Sequence, residues 1–99
     1  MEKLHYKFET KNPIQKPVHI GVVASGDLEV IFRPTDSDET VVSIVTGSDG
    51  FKEVWKNVLD RFFARYPIQA NIEINDFGST PGVVNLRLTQ AMEALKDEK

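Results

Sequence analysis

No cysteine occurs among the 99 residues. That removes disulfide frameworks, thiolate-held zinc, iron–sulfur clusters and thiol nucleophiles together. Histidine is nearly as scarce, with only His5 and His19, both in segments that read as strand. Basic charge is not in excess: 12 Lys and Arg against 15 Asp and Glu leave −3, so no polyanion-binding face is expected and nucleic acid is not an expected partner. Long apolar runs are missing too. The longest uncharged apolar stretch, Val18 to Ala24, is interrupted by His19 and falls far short of the roughly 20 residues of a membrane span. The opening Met1-Glu2-Lys3-Leu4-His5-Tyr6-Lys7 is too charged for the apolar core of a signal peptide. With no export signal, no cysteine and no Asn-x-Ser/Thr acceptor, a cytoplasmic location is expected.

What remains is a folding composition. Hydrophobic residues make up 40% and charged residues 27%, with six Phe, two Tyr and one Trp, enough apolar side chain to exclude a wholly disordered chain. A chain of this length buries roughly 60–70% of the surface its unfolded form exposes. One domain over residues 1–99 is therefore expected, with 1–16 as an N-terminal strand and connector.

Leu4, Tyr6 and Phe8 alternate with His5, Lys7 and Glu9, the pattern of a short edge strand. Thr10 to Pro17 holds two prolines and two lysines and reads as a connector. Val18, Ile20 and Val22 then share one strand face. Ser25-Gly26-Asp27 interrupts the alternation, and Leu28, Val30 and Phe32 resume it opposite Glu29, Ile31 and Arg33. Two alternating runs separated by a small residue and a glycine predict a β-hairpin. Pro34 to Glu39 is a polar loop. Thr40 to Thr46 is β-branched at six of seven positions and predicts a further strand, giving a three-stranded antiparallel unit.

Thr46-Gly47-Ser48-Asp49-Gly50 ends that strand, with Ser48 or Asp49 expected to cap a helix. Phe51, Val54, Trp55, Val58, Leu59, Phe62, Phe63 and Tyr66 follow at helical spacing, which places Phe51, Trp55, Phe62 and Phe63 in the core. Pro67 stops the helix. Ala70, Ile72 and Ile74 alternate with Asn71, Glu73 and Asn75 as another strand. Thr80-Pro81 resembles an N-cap and first helical position, so a last helix is expected from about Pro81. Residues 83–89 also suit a strand. The fold class is α+β: an antiparallel β-sheet with two helices packed on one face.

As an enzyme the chain is poorly equipped. A Ser-His-Asp set can be written from Ser25, His19 and Asp27, but six extended residues separate His19 from Ser25 by roughly 20 Å. Asp36, Asp38 and Glu39 lack the glycine and the twelfth-position glutamate of a calcium loop, so they read as solvated loop. Neither a catalytic residue nor a metal site is expected. Ser25 has two readings. Serine and glycine simply suit a tight turn, or an open hydroxyl at a hairpin tip serves covalent attachment.

One long motif bears on that choice: Val18-His19-Ile20-Gly21-Val22-Val23-Ala24-Ser25-Gly26-Asp27-Leu28-Glu29-Val30. With Leu59-Asp60-Arg61-Phe62-Phe63-Ala64-Arg65, Ile72-Glu73-Ile74-Asn75-Asp76-Phe77-Gly78 and Thr80-Pro81-Gly82-Val83-Val84, it resembles the delta-subunit, or acyl carrier, family of malonate decarboxylase. The likeness runs from about Leu4 to Leu95. A more distant likeness in kind is to the citrate lyase carrier. Fatty-acid acyl carriers, by contrast, are four-helix bundles with Asp-Ser-Leu at a helix start, and that pattern is not found around Ser25.

The resemblance implies a non-catalytic carrier, a phosphoprotein whose Ser25 bears a covalent arm. The arm would derive from 2′-(5″-triphosphoribosyl)-3′-dephospho-CoA and be held as phosphoribosyl-dephospho-CoA through a phosphodiester. Its terminal thiol would carry acetyl and malonyl groups. A transferase subunit would exchange acetyl for malonyl, decarboxylase subunits would release CO₂, and a prosthetic-group transferase would attach the arm. Asp27 and Glu29 are expected to be available to basic residues on those partners. The alternative is a small non-enzymatic α+β interaction module in which Ser25 is only a turn residue.

Overall fold

A computed structural model describes residues 2–21, 27–79 and 81–96, without the side chains of 81 and 82. The elements are β1 (Glu2–Phe8), β2 (Asn12–Pro13), β3 (Val18–Ile20), β4 (Asp27–Arg33), β5 (Thr40–Thr46), α1 (Lys52–Arg65), β6 (Ile68–Gln69), β7 (Asn71–Phe77) and α2 (Pro81–Lys96). Five strands form one sheet in the order β1-β5-β7-β4-β3, and β2 and β6 make a separate two-residue parallel pair. The α+β class holds, and 83–89 are helical.

The sheet is mixed. Three ladders are antiparallel, but β5 and β7 run parallel. A parallel pair needs a long crossover, and α1 is that crossover. The three-stranded unit expected from β3, β4 and β5 is accordingly not formed. β3 and β4 do pair as the hairpin, with Val18 opposite Phe32 and Ile20 opposite Val30, but β7 lies between β4 and β5. Both neighbours of β7 offer apolar residues in phase with it, so central placement buries the Ile72 and Ile74 face on both sides.

Register converts alternation into a layer. Leu4, Ile44, Ile74, Val30 and Ile20 stand in one row across the sheet, and Tyr6, Val42, Ile72, Phe32 and Val18 in the next. Leu28, Val30, Phe32 and Ile74 have no exposure at all. The opposite face carries His5, Ser43, Glu73, Asn75, Glu29 and His19 and stays wetter, as antiparallel sheets allow.

α1 buries Trp55, Leu59, Phe62 and Phe63. Phe62 meets Phe32 edge-on at 6.2 Å between centroids, and Phe63 lies 4.4 Å from Phe8. α2 contributes Val84, Leu88, Ala91 and Met92. Two expectations for α1 fail. Phe51 is 49% exposed, because it precedes the first helical turn and borders a cavity instead of entering the core. Neither Ser48 nor Asp49 caps the helix: the N-cap position is Phe51 and no side chain closes it. The Ser48 N–H instead donates to Thr46 Oγ1, which turns the chain before α1 begins. The Thr80 cap lies outside the described residues.

Among the described residues, buried side-chain polar atoms are paired, as burial requires, except Glu2 Oε1 at the start of β1. Thr40 has no exposure; its hydroxyl accepts from the Ala70 N–H and donates to the Ile68 carbonyl, and Thr10 Oγ1 lies 2.6 Å away. This knot ties the start of β5 to the β6–β7 corner.

Candidate functional site

The candidate site is the connection of the β3–β4 hairpin. Ser25 itself, with residues 22–26, lies outside the described residues, so the site is built from what flanks it. On the incoming side, Gly21 follows the last strand residue with φ +86°. A Cβ there would run into the backbone carbonyl of Leu28, so only glycine lets the two legs approach so closely.

On the outgoing side Asp27 is held from two directions. Its Oδ1 accepts from the Leu28 N–H at 2.7 Å, and Arg87 of α2 reaches both carboxylate oxygens, with Nη2 at 3.2 Å from Oδ1 and 3.1 Å from Oδ2 and Nε at 3.2 Å from Oδ1. The Leu28 N–H, then the Arg87 guanidinium, hold the Asp27 carboxyl below the usual range against partial desolvation. Arg87 Nη1 also donates to Gln90 Oε1, which fixes the guanidinium plane on α2.

Beyond Asp27 the ladder passes to the end of β7. Asp27 pairs with Phe77 and bridges to Gly78, and Leu28 stands opposite Asp76. Asp76 is 4% exposed and accepts from the Ser79 N–H and hydroxyl at Oδ1 and from Thr46 Oγ1 at Oδ2. The segment after β7 is thereby locked beside the hairpin.

The expectation that Asp27 and Glu29 stand ready for basic partners is not met. Asp27 is committed to Arg87. Glu29 is engaged on the uncovered face, where His19 Nε2 lies 2.7 Å from its Oε2 and Asn75 Nδ2 donates to its Oε1 at 2.8 Å. The string continues through Asn75 to Glu73 and Arg33. Arg33 and then Asn75 lower the Glu73 carboxyl below its ordinary value. The cross-strand register supplies these partners first.

The other sequence candidates do not converge on the hairpin connection. His19 is spent on Glu29, and His5 Nδ1 pairs with Ser43 Oγ across β1 and β5. Ser37 Oγ accepts from the Glu39 N–H within its own loop. Among the described residues no group of three His, Asp or Glu comes together as a metal site, and no helix is long and apolar enough to cross a membrane.

Comparison with known proteins places the chain as a whole. A model of the malonate decarboxylase delta subunit (MdcD) family matches residues 15–95. The chain belongs to that family. Among relatives, it is 40% identical over 98 residues to the malonate decarboxylase acyl carrier protein of Azotobacter vinelandii, covering 98% of this chain and 99% of that one. It is 45% identical over 100 residues to the acyl carrier protein of the same name from Stenotrophomonas maltophilia, covering 96% and 94%. A chain in the crystal structure of a Pseudomonas malonate decarboxylase hetero-tetramer in complex with malonate superposes with a TM-score of 0.90 at 36% identity, covering 96% of this chain and 99% of that chain.

Within the delta-subunit family frame, the features that sequence reasoning missed are Arg87, Gly21 and the Asp76 lock. Arg87 is 60 residues from Asp27, and no periodicity links them. Gly21 carries a signal, a glycine inside the apolar segment Ile20–Ala24, of the kind that marks close backbone approach.

Proposed function

We propose that the chain is the acyl carrier subunit of a malonate decarboxylase, a single non-catalytic domain over residues 1–99. In this reading Ser25 bears phosphoribosyl-dephospho-CoA, donated as 2′-(5″-triphosphoribosyl)-3′-dephospho-CoA, through a phosphodiester. The observation that carries it is the placement of the Val18–Val30 motif. Its two halves pair as β3 and β4, which makes the segment containing Ser25 the connection of a hairpin whose two feet are fixed.

The flanking residues fit such a group. Gly21 has no room for a side chain, so the incoming leg stays thin, and the Asp27–Arg87 pair clamps the outgoing leg to α2. A modifying enzyme then meets Ser25 between two fixed strand ends. The chain has no cysteine, and the arm's terminal thiol would supply the thioester chemistry, carrying acetyl and malonyl groups. The chain's own residues hold the attachment point and present it to a transferase subunit, to decarboxylase subunits and to the prosthetic-group transferase.

The test is tandem mass spectrometry of protein from a host that carries the attaching enzyme, with Ser25→Ala beside it. The expected result is the adduct on the Ser25 peptide, with the same thermal melt but no adduct and no turnover by the reconstituted complex for Ser25→Ala. An adduct mapped elsewhere, or an active Ser25→Ala complex, overturns the reading.

A further inference from the structure

At the sheet end where the hairpin connection leaves, a cavity of about 310 Å³ opens between the sheet and the two helices. Its apolar wall is Phe51, Val54, Trp55 and Val58 of the α1 region with Val84 of α2, and its polar floor includes Asp76 and Ser79. Phe51 and Val54 stand at its mouth 49% and 41% exposed, whereas Trp55 inside is 5% exposed. A concave apolar space with a few convergent polar groups is the form of a small-molecule site. Two exposed large apolar side chains at its rim also leave apolar surface that a ligand would cover.

Two observations say what covers it. The first is reach. Leu28 lies opposite Asp76, and both project to the helix-covered side. Three residues of chain separate Ser25 from Leu28, at most about 11 Å, and an antiparallel pair adds roughly 5 Å. A group tethered to Ser25 through a phosphodiester and one ribose therefore has the cavity within its length scale. The second is donor and acceptor chemistry. The Asp76 carboxylate has about four acceptor sites, and among the described residues three are used, by the Ser79 N–H, the Ser79 hydroxyl and Thr46 Oγ1. Among the described residues Oδ2 takes one donor only, which leaves it able to accept another, and the aromatic wall suits a flat ring.

We propose that this cavity is the seat of the adenine ring of the carrier's own arm, stacked on Phe51 and Trp55 with its exocyclic amine directed to Asp76. The proposal rests on the Ser25 attachment reading and deepens it. Seating the base divides the arm into an anchored nucleoside and a free pantetheine, so the thiol sweeps from a fixed point near the cavity mouth. Tethering makes weak binding sufficient. A short flexible link gives an effective concentration in the millimolar range, so a free-ligand Kd of about 1 mM leaves the seat roughly half filled.

The experiment uses the isolated chain with and without the arm, both verified by peptide mapping. In NMR spectra the arm-bearing chain is expected to show contacts from the adenine C–H protons to the Phe51 and Trp55 rings, with shifts at Val54, Val58 and Val84. Dephospho-CoA and AMP titrated into the unmodified chain are expected to shift the same signals, and pantetheine is not. Phe51→Ala, at an exposed position that spares the fold, is expected to weaken AMP binding at least about fivefold, the loss expected for one stacked base. A chain modified at Ser25 whose cavity signals match the unmodified chain overturns the seat and leaves the attachment reading standing. An adduct on another residue overturns the attachment reading itself. Response to pantetheine but not AMP, or response only when partner subunits are added, also overturns the seat.

Discussion

Phe62→Ala gives the most direct test of how this core is held. Phe62 is 4% exposed and sits between three rings: Phe32 at 6.2 Å and 61°, Phe63 at 5.1 Å and 75°, and Tyr66 at 5.5 Å. Truncation removes most of the ring's burial and leaves a cavity that a sheet on one side and a helix on the other close only in part. Substitutions of this kind cost about 3–5 kcal/mol, including about 0.5–1.5 kcal/mol for each well-placed ring pair. A domain of this size has about 5–15 kcal/mol in total. At about 4–8 °C per kcal/mol the melting midpoint should fall by roughly 12–40 °C. With a urea slope near 2 kcal/mol/M, a loss of about 4 kcal/mol moves the urea midpoint by about 2 M. Phe51→Ala supplies the control, since half of that ring is in water, and its melt should move by no more than about 0.5 kcal/mol. Paired circular-dichroism melts and urea titrations read both. Equal losses from the two substitutions would refute the placement of α1, because helical spacing alone treats the two rings alike.

Thr40→Val keeps the shape of the buried side chain but leaves the Ala70 N–H, the Ile68 carbonyl and the Thr10 hydroxyl short of a partner; urea unfolding should show a loss of about 2 kcal/mol or more. Gly21→Ala forces a positive φ on a residue with a Cβ and drives that Cβ at the Leu28 carbonyl, so amide exchange at Leu28 should accelerate; unchanged exchange would show that the hairpin foot is not close-packed. Asp27→Asn tests the clamp by pH. The folded carboxyl is lowered, chiefly by the Leu28 N–H and then Arg87, so its contribution is complete above the unfolded value near 3.9 and is lost as pH falls through the folded value. The difference between the wild-type and Asp27→Asn melts should therefore be constant above about pH 5 and shrink below about pH 4; a difference independent of pH would remove Asp27's charge from the account.

Alternation and helical spacing are local properties, and they placed the elements well. Leu28, Val30 and Phe32, the β-branched run Thr40–Thr46 and the Trp55–Phe62 stripe each show their buried face within a few residues of chain. The family resemblance, too, is carried by short motifs in order. The sequence did not show which strands become neighbours. Insertion of β7 between β4 and β5, parallel to one and antiparallel to the other, depends on α1 spanning the sheet, and no local pattern distinguishes that from a simple meander. The same limit hid the clamp, because Asp27 and Arg87 meet only after α2 has packed across β3 and β4. It also misplaced Phe51: a residue at helical spacing is buried only where the helix has something to lie against, and at the start of α1 the sheet end leaves a cavity. Charges followed suit. Asp27 and Glu29 looked free in the chain, and only the register of β3, β4 and β7, with one turn of α2, determined that both were already taken.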